Sequence, residues 1–404
     1  MGQDGWMATT APSTSTSGSP VLVALLPILA VVLMVFLVIG VAMPVLPLHV
    51  HVSLGQGAFV VGLVAGAQFT TALISRVWSG HFSDSRGPKR AVTFGLLAAT
   101  AAGLLYLLSL RFAPTPGVSV AILTAGRALL GGAESFILTG ALTWGLALVD
   151  PRHAGKVMAW VGTAMFAAFV VGAPLGTSLY GAYGFAAIAL ATTLIPLLTL
   201  GAIAPMRAIA PSRHRRPPLR SVLSAVWPSG LGLALSSVGF GAITTFISLL
   251  FVARGWSPVW IAFSAFAAAF MFMRVFFGHL PDQLGGARVA LISVLAESVG
   301  LAAIWMAPVW GIALAGAILT GCGYSLVYPS LGVEAVRRAP PQSRGLAMGA
   351  YSAFIDLSLG LSSPALGLVA ATKGFGAVFL VSAFAVLGAA VVAWRITQRA
   401  PPPG

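Results

Sequence analysis

Apolar residues in this chain neither alternate nor mark one face of amphipathic helices. They come in unbroken runs of about 20 residues, the length an α-helix needs to cross a ~30 Å hydrocarbon core. Twelve such runs are expected, at 21–46, 57–79, 91–110, 118–147, 157–181, 184–206, 222–250, 258–277, 289–307, 310–333, 345–371 and 375–394. The short alternating segments of a membrane barrel are missing from the pattern. The predicted fold class is an all-α membrane protein of twelve transmembrane helices in two six-helix halves.

The polar stretches give the organisation. Residues 207–221 hold Arg207, Arg213, His214, Arg215, Arg216 and Arg220 without an acid, and divide the runs six and six. They form the expected basic linker between halves at 21–206 and 222–396. Residues 1–20 are rich in Ser, Thr, Gly and Pro and contain no Lys or Arg. They lack the basic start of a signal peptide and are expected to be a disordered tail, with translation starting at Met1 or Met7; residues 397–404 form a second tail.

One polar motif occurs twice. Arg76, Val77, Gly80, His81, Asp84, Gly87 and Arg90 recur at the same spacing as Arg274, Val275, Gly278, His279, Asp282, Gly285 and Arg288. Helices 5 and 11 also echo each other, with Gly155, Met158 and Pro174 answered by Gly345, Met348 and Pro364. A duplicated half is the organisation of many membrane transporters.

Composition and charge narrow the reading. Of the residues, 58% are hydrophobic and 7% charged, and the mean hydropathy is +0.98. The net charge of +14 is distributed unevenly: 18 of the 22 Lys and Arg fall at the even-numbered loops, the linker and the C-terminus. The other side receives Arg111, Arg254 and Lys373, and Arg127 lies within a helix. Positive charge stays in the cytoplasm, so both termini are expected inside and the charge reports topology, with no nucleic-acid partner. Cys322 is the only cysteine, which excludes an internal disulfide or a cysteine-based metal site. Nucleotide-loop, zinc-protease and nucleophile-elbow motifs are absent from the sequence, so neither an enzyme nor a bound cofactor or metal is expected.

Charges within the runs are the sharpest functional signal, because one at the bilayer centre costs at least about 2.5–3.5 kcal/mol. Arg127 and Glu134 lie two turns apart on one face of helix 4, and Asp356 is expected at similar depth in helix 11. Together these three are predicted to share a central cavity and to couple transport to protons, a buried salt bridge being the structural alternative. Arg274 and Glu297 are expected to pair between helices 8 and 9. Arg76 is expected to snorkel to the surface.

Twelve helices in two halves, with Gly80-x3-Asp84-x2-Gly87-x-Lys89-Arg90 between helices 2 and 3, resemble the major facilitator superfamily over residues 20–396. Gly126–Phe136, Gly239–Phe246 and Phe354–Gly360 resemble its bacterial YhhS/YfcJ-like branch. That resemblance implies a bacterial inner-membrane, proton-linked exporter of small organic molecules. It sets Asp84 against the N-terminus of helix 11 near Gly345 and Asp282 against helix 5 near Gly155, as gate latches. Lys89 and Arg90 are expected to pair with Asp150; Ser85 departs from the family's usual basic residue. In helix 5, Gly172-Ala-Pro-Leu-Gly176 is similar to a degraded antiporter motif, with a small-residue packing face as the alternative. Superfamily geometry implies a pocket containing Gln68, Thr245, Phe246, Tyr324 and Tyr351.

The function expected from the sequence is proton-coupled efflux of a sugar-like metabolite or drug by alternating access. Proton-coupled uptake and facilitated diffusion use the same architecture, and a non-transporting sensor is the reading from a different class. The expected partners are a small-molecule substrate, protons and the lipid bilayer, with the protein acting as a monomer.

Overall fold

The structure is a computed structural model that describes residues 19–149, 154–209, 219–338 and 344–399. Most of each tail, Asp150 and the central part of the expected linker lie outside those residues. The twelve runs become twelve long helices: α1 (Ser19–Ala42), α2 (Ala58–Arg86), α3 (Pro88–Arg111), α4 (Pro116–Leu148), α5 (Ala154–Tyr183), α6 (Phe185–Ile203), α7 (Leu219–Ala253), α8 (Ile261–Phe277), α9 (Gly286–Met306), α10 (Trp310–Arg338), α11 (Arg344–Lys373) and α12 (Phe375–Arg399). Apart from α8, which has 17 residues, they are long and apolar enough to span a membrane. Many outward-facing positions remain apolar, such as Ile292, Phe384 and Leu198, because lipid, unlike water, solvates them.

The motif repeat is more helical than a hinge loop. α2 continues through Asp84 to Arg86, and the connection to α3 is Gly87 alone, followed by Pro88 at the first helical position. In the second copy the helix breaks at Gly278 and resumes over Leu280–Leu284 before Gly285. Gly87 has φ +94°, ψ 151° and Gly285 has φ +90°, ψ 129°, backbone that a side chain strains. Gly87→Ala is therefore expected to cost about 1–3 kcal/mol, measurable as a lower thermal midpoint in detergent. Gly201→Ala, in open space within α6, serves as the control and should be neutral or stabilising.

The positive-φ glycines expose the internal symmetry further. Among the described residues they are Gly55 and Gly255, Gly87 and Gly285, and Gly184 and Gly374, three pairs at equivalent connections in the two halves. Packing repeats likewise: α3 lies on α4 and α6 as α9 lies on α10 and α12, and α1 lies on α5 as α7 lies on α11. Glycines permit the closest of these approaches. A Cβ on Gly172 or Gly176 would strike the backbone of Gly40 and Val41, so the expected antiporter-like segment of α5 is where α1 and α5 touch.

The halves meet along α2 with α11 and α5 with α8. Let the linker face be the end of the bundle where α6 stops and α7 starts, and the far face the opposite end. Toward the far face the seam is tight: Gly62 abuts Ser363 and Pro364, Gly66 abuts Gly360, and Gly367 abuts Ala58. On the second side of the seam Phe166 stacks on Phe270 with ring centroids 3.5 Å apart, and Ser264 Oγ donates to the Val170 carbonyl at 3.3 Å. Further along toward the linker face, Gly349 of α11 and Gly162 of α5 have open space where a side chain would project. Among the described residues, the closest approaches between the halves thus lie toward the far face.

Candidate functional site

Three helices place a column of ionisable groups at the seam. Arg76 of α2 donates through Nε to Asp356 Oδ2 at 2.9 Å, and its Nη2 makes a second, shorter bond to the same oxygen. Arg76 lies ten residues before the end of α2 and Asp356 twelve residues after the start of α11, both about 15–18 Å from the helix ends at 1.5 Å per residue. The ion pair therefore ties one half to the other well inside the bundle. It also corrects one expectation, since Arg76 does not snorkel to the surface, and it gives Asp356 a partner other than Arg127. The reason is helix adjacency, since α2 lies directly against α11 while Arg127 projects from α4 nearer the far face.

Glu134 occupies the middle of the column. Its Oε2 accepts from Gln68 Nε2 at 2.7 Å, and Asp356, Arg76 and Arg127 all act on it electrostatically. The helices can come this close because Gly131, one turn earlier in α4, abuts the carbonyl of Gln68 in α2. Arg127 is 3% exposed, and its Nε and Nη1 meet no hydrogen-bond partner. It lines a narrow cavity of about one water's volume with Met43, Leu46, Pro47, Ala65, Phe69, Thr244 and Thr245.

The five expected pocket residues separate. Thr245 lines this cavity, and Gln68 is engaged by Glu134. Phe246 is fully buried in the core. Tyr324 bonds Ser237 at 3.1 Å and stacks on Phe240, while Tyr351 donates to the Tyr328 carbonyl at 2.9 Å. Superfamily depth locates these side chains along their helices but does not fix which way each turns.

Arg274 and Glu297 do not pair. α8 packs on α10 and α5, and α9 on α10 and α12, so consecutive helices are not neighbours here. Glu297 accepts from Ser236 of α7 at 2.5 Å. The Arg274 guanidinium lies 5.2 Å from the Phe270 ring centre, and Tyr324, Tyr328 and Tyr351 surround it electrostatically.

At the linker face, Gly80 and Asp84 are half-buried in the last turns of α2. Lys89 donates to the carbonyls of Ala204 at 2.7 Å and Met206 at 2.6 Å, binding the start of α3 to the end of α6, where a cation meets the negative end of a helix dipole. Its other expected partner, Asp150, lies outside the described residues, as do the segments leading into α5 and α11. Arg90, Asp282 and Arg288 are exposed. Sequence reasoning missed Glu334, which is buried in α10 beside Gly286, the first residue of α9, and pairs with Arg337 at 3.5 Å. An acid and a base three residues apart at a helix end were its signal.

A twice-repeated helical bundle that buries charge along the seam between its halves defines a membrane transporter of a small solute. The chain belongs to the Major Facilitator Superfamily, whose sequence profile matches residues 28–288 and 261–404. It is 44% identical to an uncharacterized MFS-type transporter of Salmonella typhimurium, over 90% of this chain and 94% of that protein. It is also 38% identical to the uncharacterized MFS-type transporter YhhS of Escherichia coli, over 91% and 90%. Among solved structures, its fold is similar to the nucleoside transporter NupG, with TM-score 0.72 at 16% identity, covering 93% of this chain and all of that one. The human organic anion transporter MFSD10 aligns with TM-score 0.62 at 16% identity, over 93% and 99%.

Proposed function

We propose that this protein is a proton-coupled exporter of a small organic solute, working by alternating access between the two halves, with both termini and the linker in the cytoplasm of a bacterial inner membrane. The observation that carries the reading is the Arg76–Asp356 pair, because a titratable carboxylate there bridges the parts that must separate. Ionised Asp356 holds α2 to α11; a proton neutralises it, weakens the tie and frees the halves to re-orient. Glu134, in the electrostatic range of that pair, offers the proton a second site. The solute competes with the tied state for the same seam, which links its movement to the proton's. Positive charge concentrated toward the linker supports the orientation. The latch at Asp84 and Asp282, the gating roles of Gly80, Lys89 and Arg90, and a monomeric state belong to the same proposal.

The test uses inverted membrane vesicles with an imposed pH gradient, a pH-sensitive dye and a panel of sugars, nucleosides and amphipathic drugs. The expected result is that one class of solute dissipates the gradient in vesicles containing the protein and not in vesicles lacking it. Solute flux that leaves the gradient untouched would instead establish facilitated diffusion.

A further inference from the structure

We propose that Arg127 and Thr245 form a receptor for an anionic group, a carboxylate or phosphate, on the transported solute; this rests on the transporter reading above and assigns its substrate class. Arg127 is the most deeply buried cation at the seam, and it has no ion pair among the described residues. Arg76 has Asp356 and Lys89 has helix-end carbonyls, but two of the Arg127 nitrogens are buried without an acceptor. Burying a guanidinium this deeply is costly without a counter-charge in contact with it: Glu134 acts on Arg127 from beyond ion-pair distance and the Tyr106 hydroxyl beside it is uncharged, while Met43, Leu46, Pro47, Ala65 and Phe69 are apolar. Thr245 lines the same cavity, and its hydroxyl makes no hydrogen bond among the described residues.

The donor set has a definite chemical preference. A guanidinium offers parallel N–H groups that match the two oxygens of a carboxylate or phosphate, and a threonine hydroxyl adds one more donor. A neutral sugar would leave the charge uncompensated. The position also suits a transported group, because Arg127 comes from α4 of the first half and Thr245 from α7 of the second. Motion between the halves would open and close this pair of donors around the anion. With the seam tight toward the far face, the cavity has shrunk to about one water's volume, so the site is expected to accept its ligand when the Met43–Pro47 segment and α7 separate.

Purified protein in detergent is titrated with acetate, benzoate and glucose 6-phosphate, and with the neutral counterparts acetamide, benzamide and glucose. The thermal midpoint is followed by tryptophan fluorescence. At least one anion should raise the midpoint more than its neutral counterpart, and Arg127→Gln should weaken that anion's apparent affinity about 10- to 100-fold. Thr245→Val, which keeps shape, should weaken it less and provides the second variant should Arg127→Gln fold poorly. Equal shifts by anions and neutral counterparts, or an anion shift that survives in both variants, would overturn the proposal. Because the readout is binding without a gradient, it separates from the coupling mechanism: anion binding without dye response leaves this site standing and removes proton coupling, while dye response to neutral solutes alone does the reverse.

Discussion

Asp356→Asn is expected to abolish accumulation of solute against its gradient while leaving binding and downhill exchange measurable. The substitution is nearly isosteric and removes both the titratable proton and the charge that holds Arg76. Separating a fully buried pair in this way costs about 3–5 kcal/mol; with the Arg76 side chain 29% exposed, water repays part of that, so the cost here falls below that range. Arg76→Gln combined with Asp356→Asn removes the unmatched charge, and should recover thermal stability without recovering accumulation. That divergence separates a coupling role from a scaffolding one, since a purely structural pair would lose and regain both together. Glu134→Gln is the parallel measurement. Should both neutral variants accumulate solute at the wild-type level, proton coupling does not reside in this column.

The second large effect is steric. Gly62 of α2 abuts the carbonyl of Ser363 and the ring of Pro364 in α11 so closely that even a methyl group does not fit. Backbone cannot move aside without parting the two halves. Gly62→Leu is therefore expected to prevent closure of the far face and to stop transport almost completely, while each half folds as before. Cysteines introduced near Leu46 should become reactive from the far side of the membrane in this variant and remain protected otherwise. Gly57, which faces open space just before α2, gives the matched control: Gly57→Ala should leave transport unchanged. Full transport by the Gly62→Leu variant would show that this seam need not close.

The twelve helices and the internal repeat were legible in the sequence because a membrane imposes its demand locally. A run of apolar residues must be long enough to cross the hydrocarbon and must satisfy its own backbone, so length and composition suffice to find it. The motif copies could likewise be aligned by counting, and Gly87 and Gly285 adopt matching conformations, although the motif expected between helices 2 and 3 proved to be mostly helix. The charged positions were legible for the same reason, each being an expensive exception to its surroundings.

Their partners were not legible. Helical spacing places Arg127 and Glu134 on one face of α4, but whether Arg127, Arg76 or neither meets Asp356 depends on which helices touch across the seam, and residues 280 positions apart in the chain carry no local trace of that contact. The expected Arg274–Glu297 pair failed on the same point, since it assumed that consecutive helices are neighbours, whereas α8 packs on α10 and α5, and α9 on α10 and α12. By itself, then, the sequence determined a twelve-span, duplicated membrane protein and the small set of residues costly enough to matter. Only the tertiary structure decided how they divide into an ion pair between the halves, a hydrogen-bonded carboxyl and an arginine with no ion pair among the described residues, because pairing is settled by packing distances of a few ångströms and not by periodicity.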